Sequence, residues 1–496
     1  MKAVSAGRGV LYIAAAKIYF IIAGYAIEVG LPRLMGNVLY GGYALVAQWV
    51  SNLNNVIVTG TIQAVSRYTT ADPDRADDVK AAGLRMQLLV TLPIAALYAA
   101  LAPFWAWLEH DPGKTGVLAL SGGIVALYAL YTVFVGSANG TRQFHKQAGL
   151  DMTFATLRVV GVLGAALAGL GVVGAIGAWV GAAGVILCIA AWLVGVPRDL
   201  RAGTVRPLLA YLGGLALYLV IMSFVTSADL LLLKRLIAEH FRAVQAADPA
   251  ALADDQVGYY RVVQNLARLP YQLMIAVTFV VFPLVSRATF ERDADKTRAY
   301  VRTTMRYSLI FAGLMGAVLA AQSGPLMMLL GYAPSYAVEG GLAAAILALG
   351  HVAFALFTIA GTILNGAGRT LDAIVVAAAT LAALVALLFL GIPHGAPGRE
   401  VLAICAACTT AAMVLGFAIS GWMLWRRFGG FMPALTIGRV VLAGAATLLL
   451  GGRFAPGGKL QSLAVAAVCA AIYLAVILVT RELGPRDLAA LSRRSA

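Results

Sequence analysis

The chain has 496 residues, of which 61% are hydrophobic and only 12% charged, and its formal net charge is +15. A soluble domain carries about twice that share of charge. Apolar stretches of about twenty residues recur from end to end, each enough to cross roughly 30 Å of hydrocarbon as a helix, so the composition excludes a soluble globular enzyme. The runs are continuous rather than alternating, which argues against a β-barrel. The basic excess fits loops that obey the positive-inside rule better than nucleic-acid binding.

In chain order the apolar runs predict spans at 9–31, 41–64, 86–107, 116–138, 152–172, 175–197 and 208–233. Seven more follow at 260–284, 308–330, 341–364, 373–392, 400–424, 434–452 and 460–480, for about fourteen in all. The first run is too long and too polar for a cleaved signal and reads as a span. Lys and Arg concentrate in the loops 67–80 and 286–306, which puts both termini on the cytoplasmic side of a multi-pass inner-membrane protein. The loop 234–256 is then outside, and its Ala-rich composition reads as a connector.

An internal repeat links span 2 to span 8: "GYALVAQ" at 42–48 matches "GYYRVVQ" at 258–264, and "AVSRYT" at 64–69 matches "LVSRAT" at 284–289. Spans 1–6 then repeat as 7–12 in parallel, about an axis near the membrane normal. The expected organisation is an N-terminal six-helix bundle over 1–200, a second over 201–430, and two additional helices with a cytoplasmic tail over 431–496.

Polar residues within spans are costly and mark cavities or partners. On span 1, Lys17, Ile21, Gly24 and Glu28 share one helix face. On span 2, Gln48, Asn52, Asn55 and Thr59 form a stripe about three turns long. Span 7 offers Thr226, Ser227 and Asp229. Span 8 puts Arg261, Gln264, Arg268 and Gln272 on one face, with Pro270 bending the helix.

Each group has a plain structural reading beside the functional one. Arg261 is within a turn of the interface and Lys17 near the inner side, so both are within snorkelling reach of headgroups. Arg268 lies about ten residues in, roughly 15 Å by helix rise, where that reach is harder. The span 2 stripe suits either cavity lining or interhelical bonding. Asp229 is a candidate counter-ion for Lys17, Arg261 or Arg268. Gln322, His351 and Asn365 stand alone and read as packing.

Taken together, spans 1, 2, 7 and 8 would line an aqueous cavity with a basic character, suited to an anionic ligand. Arginine in particular binds two phosphate oxygens at once. No catalytic residue or metal site is expected. The four cysteines lie in apolar runs, and "CAAC" at 405–408 has no nearby histidine. "PGKTG" at 112–116 lacks the upstream glycine of a phosphate loop. No cofactor is called for, although Glu28 and Asp229 are candidates to bind a coupling H⁺ or Na⁺.

Several segments carry a family resemblance. "RLMGNVLYGGYALV" (33–46) is similar to the segment after the first span of polysaccharide-biosynthesis flippases, and "VGYYRVVQNLARLPYQLMIAVTFVVFPLVSR" resembles the start of their eighth. "LMMLLGYAPSYAVEGGLAAAILALGHV" and "LNGAGRTLDAI" resemble their turns between spans 9 and 10 and between spans 10 and 11. The superfamily, which includes multidrug exporters and lipid II flippases, is one of two-bundle, MATE-like proteins that work by alternating access.

The resemblance implies an O-antigen-type flippase that moves an undecaprenyl-pyrophosphate-linked oligosaccharide to the outer leaflet. Its implied partners are that anionic lipid, membrane lipids, and glycosyltransferases or a polymerase. A monomer is expected, with no nucleic-acid partner. In the family, basic residues of spans 1, 2 and 8 face the cavity. Lys17 and Arg268 match on spans 1 and 8, while span 2 has only Asn and Gln. The alternatives are a multidrug cation exporter, a lipid II flippase, and a membrane glycosyltransferase or polymerase.

Overall fold

The structure, a computed structural model, describes residues 6–274, 293–454 and 456–484. Every regular element among these residues is helical. The chain forms two compact units, Met1–Gly258 and Tyr259–Ala496.

The first unit holds α1 (Ala6–Met35), α2 (Asn37–Ala71), α3 (Ala76–Met86), α4 (Leu92–Ala100), α5 (Ala102–Leu108), α6 (Thr115–Gly140), α7 (Phe144–Leu167) and α8 (Gly171–Val194). It continues with α9 (Arg206–Val225), α10 (Ala228–Ala243) and most of α11 (Pro249–Ala267). α2 packs along α6 and α9, α1 along α7, and α8 against both α6 and α7. The close fit of α2 to α6 depends on small residues: a methyl group at Gly136 or Gly140 would run into Val65 or Thr69. Helices in lipid associate through such small-residue seams, because no hydrophobic driving force separates them from the tails.

The second unit holds α12 (Ala294–Ala321), α13 (Ser323–Leu330), α14 (Pro334–Gly366), α15 (Thr370–Gly391), α16 (Arg399–Phe428), α17 (Ala434–Gly451) and α18 (Lys459–Val479). α14 is its centre, packed on α12 and α16, and the last two helices join through α12. The Tyr473 hydroxyl donates to the Ile310 carbonyl at 3.0 Å, tying α18 to α12. α13 and α16 end on Gly331 and Gly429 in left-handed backbone, a geometry that a side chain disfavours.

Twelve helices among the described residues are long and apolar enough to cross a membrane, so the expected count of fourteen is not reached on that criterion. α2 is outside the twelve although it runs for 35 residues, because its amide stripe lowers its hydropathy. The expected span 260–284 lies partly outside the described residues.

Two expectations need correction. The 234–256 segment is not a mere connector, since α10 continues to Ala243 and α11 begins at Pro249. Span 5 begins earlier than expected, at Phe144, which brings Asp151 inside a helix.

Candidate functional site

In α1, Lys17 extends its ammonium to Asp151 of α7 at 3.1 Å, while 59% of its side chain remains exposed. Tyr131 also reaches Asp151, at 3.5 Å. Lys17 is therefore paired with Asp151; the sequence had offered Asp229 as a candidate counter-ion for Lys17, Arg261 or Arg268. Asp229 is buried at the start of α10, where a carboxylate oxygen accepts the Leu230 N–H. Glu28 accepts the Tyr40 hydroxyl at 2.6 Å. Between α7 and α8, the Arg158 guanidinium stacks 3.7 Å from the Trp179 ring centre.

The α2 stripe meets the end of α9. Gln48 donates to Asn52 at 3.1 Å, and Asn52 donates to Ser227 at 2.9 Å. Asn55 donates to Ser223 at 2.9 Å, and the Ser227 hydroxyl returns to the Ser223 carbonyl at 2.8 Å. In this conformation the stripe is thus engaged in interhelical bonding. On the other side of α2, Thr61 accepts the amide of buried Gln87. Gln87 begins a π-helical segment, Gln87–Thr91, that joins α3 to α4, and such widened turns often occur at functional positions.

The second unit carries the remaining predicted residues. Gln264 and Asn265 are buried, while Arg261, Arg268 and Gln272 are half-buried. Arg268 sits where α11 breaks before helix resumes at 269, and its N–H still reaches the Gln264 carbonyl at 3.0 Å. Pro270 explains the interruption, since it has no N–H to continue the ladder. The Gln272 side-chain carbonyl has no hydrogen-bond partner among the described residues. His351 is buried, bonds the Leu347 carbonyl at 3.0 Å and packs on Phe354, as expected for packing.

The densest charge cluster in the first unit was not anticipated. It lies where the α5–α6 turn meets α10 and α11. Lys114 donates to both carboxylate oxygens of Asp254, at 2.7 and 2.8 Å, and lies 3.1 Å from Asp111. Lys234, whose side chain is fully buried, donates to Asp254 at 2.7 Å and to the Ala250 carbonyl at 2.7 Å. Asp111 lies 3.7 Å from Lys234.

Glu109 completes the group. It is 2% exposed and accepts the Trp49 indole N–H at 2.6 Å, while its other oxygen has no partner among the described residues. Burial pushes the Glu109 carboxyl above its ordinary range, against the opposing pull of Lys114, the Trp49 bond and Lys234, with Asp254 adding to the rise. The signal that would have revealed the cluster is the pattern of α10: Leu230, Leu233 and Ile237 make one apolar face, and Lys234 lies on it.

α2 comes close enough to α11 beside this cluster that a methyl group at Gly41 would overlap the Asp254 carbonyl. One turn back, Asn37 donates to the Asp255 backbone and side chain at 2.7 and 2.8 Å.

A family model described as polysaccharide biosynthesis protein matches residues 6–289. No curated protein sequence matches the chain. Among solved structures, the lipid II flippase MurJ in an inward closed conformation superposes with a TM-score of 0.73 at 13% identity, covering 96% of this chain and 99% of that one. The MATE transporter VcmN of Vibrio cholerae gives 0.61 at 15% identity, over 85% of this chain and 96% of that one. A MOP-superfamily transporter from Pyrococcus furiosus gives 0.52 at 15% identity, over 84% and 96%.

Proposed function

The chain belongs to the polysaccharide biosynthesis protein family, and from that premise we propose that it is a flippase for an undecaprenyl-pyrophosphate-linked oligosaccharide. It would carry this lipid from the inner to the outer leaflet of a bacterial inner membrane by alternating access. The observation that carries the reading is Lys17, a cation within an apolar helix that is paired with Asp151 yet still largely exposed. A half-exposed ammonium with one carboxylate partner retains donors for an anionic group. Arg268, at a helix break in the second unit, supplies the planar fork that suits a diphosphate.

The amides of α2 give the sugar chain its partners. Asn52 and Asn55 now bond Ser227 and Ser223. Sugar hydroxyls offer the same donor and acceptor chemistry, so these amides would exchange a serine for a glycan as α2 and α9 part. The Lys17–Asp151 pair also weighs against a multidrug cation exporter, because it neutralises an acid that an organic cation would need.

The test is a double substitution, Lys17→Met with Arg268→Met, in cells that depend on this chain for surface polysaccharide. The variant is expected to reach the membrane in normal amount while export stops. Full export by the double variant would reject both cations as substrate contacts, and drug efflux in place of glycan export would favour the multidrug reading.

A further inference from the structure

We propose that Glu109 is a proton-binding site that locks the outer end of the first unit, so that closure takes up one proton from the outer solution and opening returns it. The proposal rests on the flippase reading only for the words outer and opening; the proton site itself follows from geometry.

The charge balance in the cluster carries the argument. Two buried ammonium groups, Lys114 and Lys234, meet two aspartates, Asp111 and Asp254, within 3.7 Å. Those four charges cancel. Glu109 is a third carboxyl in the same buried place, and no ion pair to it is formed among the described residues. As a carboxylate it would need several donors, yet it has one, the Trp49 indole. A buried charge left with a single hydrogen bond is far costlier than a buried neutral carboxyl. The closed arrangement therefore holds Glu109 with its proton on.

The groups that face Glu109 set the sign of the response. α4 brings the buried Tyr98. The turn contributes His110, Asp111 and Lys114. From α10 come Lys234 and Arg235, which donates to the Leu108 carbonyl beside Glu109, together with Glu239 and Arg242; α11 brings Asp254. His110 accepts the Arg242 guanidinium at Nδ1 and is 3.0 Å from Glu239 at Nε2.

Opening would draw α10 and α11 away from the α5–α6 turn and admit water to Glu109. Its carboxyl would then fall back toward the usual range near 4.3. Because the closed value is the raised one, the closed state has its full advantage below that ordinary value. The advantage is lost as pH rises toward the raised closed value. Within that window the ratio of open to closed molecules grows about tenfold per pH unit, as expected for one released proton.

Spin labels at positions 116 and 252 test this in the full chain, with the four native cysteines replaced and the protein in lipid nanodiscs. Both positions are exposed, and they stand two residues after Lys114 and two residues before Asp254, which the cluster pairs. The wild-type distance distribution is expected to shift from short to long as pH rises from 5 to 8. Glu109→Gln keeps a neutral acceptor for Trp49 and should hold the short distance across that range. Glu109→Met serves the same purpose if the amide variant folds poorly. His110→Asn should keep the pH response. The proposal is overturned by a wild-type distribution that ignores pH, by one that opens in acid, or by a response that survives in either Glu109 variant. No substrate is present in this experiment, so its outcome is separate from that of the export assay.

Discussion

Asp254 is the keystone of the buried ion cluster, and replacing it gives a sharp test of what the cluster does. In Asp254→Ala the Lys234 ammonium, now fully buried, loses its 2.7 Å partner and keeps only the Ala250 carbonyl and a distant Asp111. Lys114 loses two bonds and keeps Asp111 at 3.1 Å. Removing one member of a buried pair typically costs about 3–5 kcal/mol, because the other charge is stranded. Charged to the closed arrangement, that is a shift of roughly two to three and a half powers of ten toward the open one.

The label pair at 116 and 252 reads this directly, and the long distance should dominate at every pH tested. The double variant Asp254→Ala with Lys234→Met removes the stranded charge and leaves Lys114 with Asp111. It should recover most of the closed population, as expected when both partners of a buried pair are removed together. A single variant that costs less than about 1 kcal/mol, the value of an exposed pair, would show that the cluster is wet and energetically idle. Failure of the double variant to recover would show that the loss came from packing rather than from charge.

Gly41→Ala should also favour the long label distance, since a methyl group there collides with the Asp254 carbonyl. Unchanged distances in that variant would mean that α2 does not approach α11 in the membrane. Asn55→Ala removes a single interhelical bond to Ser223 and should cost only about 0.6 kcal/mol in a thermal melt, because such bonds in lipid are individually weak; a loss several times larger would indicate a wider network. In the second unit, burial acts to raise the Glu482 carboxyl, but hydrogen bonds from Arg306, Arg439 and Thr436 outweigh it and hold the group below its usual range. Its stabilising contribution is present above the ordinary carboxylate value and is lost as pH falls through the depressed one. Glu482→Gln should lower the melting temperature at pH 7 and narrow the gap from wild type in acid, and an equal gap at both pH values would contradict the assignment.

The helical architecture was readable because apolar runs of membrane length need no tertiary information. The α2 stripe was readable for the same reason, as amides at helical spacing reveal a face even when its partner is unknown. What remained hidden depended on long-range pairing. Lys17 and Asp151 are 134 positions apart, and the sequence placed Asp151 in a loop just before its helix. Lys114 and Asp254 are 140 apart, and the segment around each says little by itself: "PGKTG" lacks the upstream glycine of a phosphate loop, and 234–256 is Ala-rich. Charge in a short connector between spans usually means water. Here the turn is folded over by a helix, and burial turns the same residues into a network.

The most direct measurement of the central claim is leaflet exchange in proteoliposomes that contain only the purified chain. A fluorescent undecaprenyl-pyrophosphate-linked oligosaccharide would be placed in one leaflet and its accessibility to a membrane-impermeant quencher followed with time. The account predicts protein-dependent exchange of the lipid that is abolished by Lys17→Met with Arg268→Met. Exchange no faster than in empty liposomes, or undiminished exchange by the double variant, would contradict it.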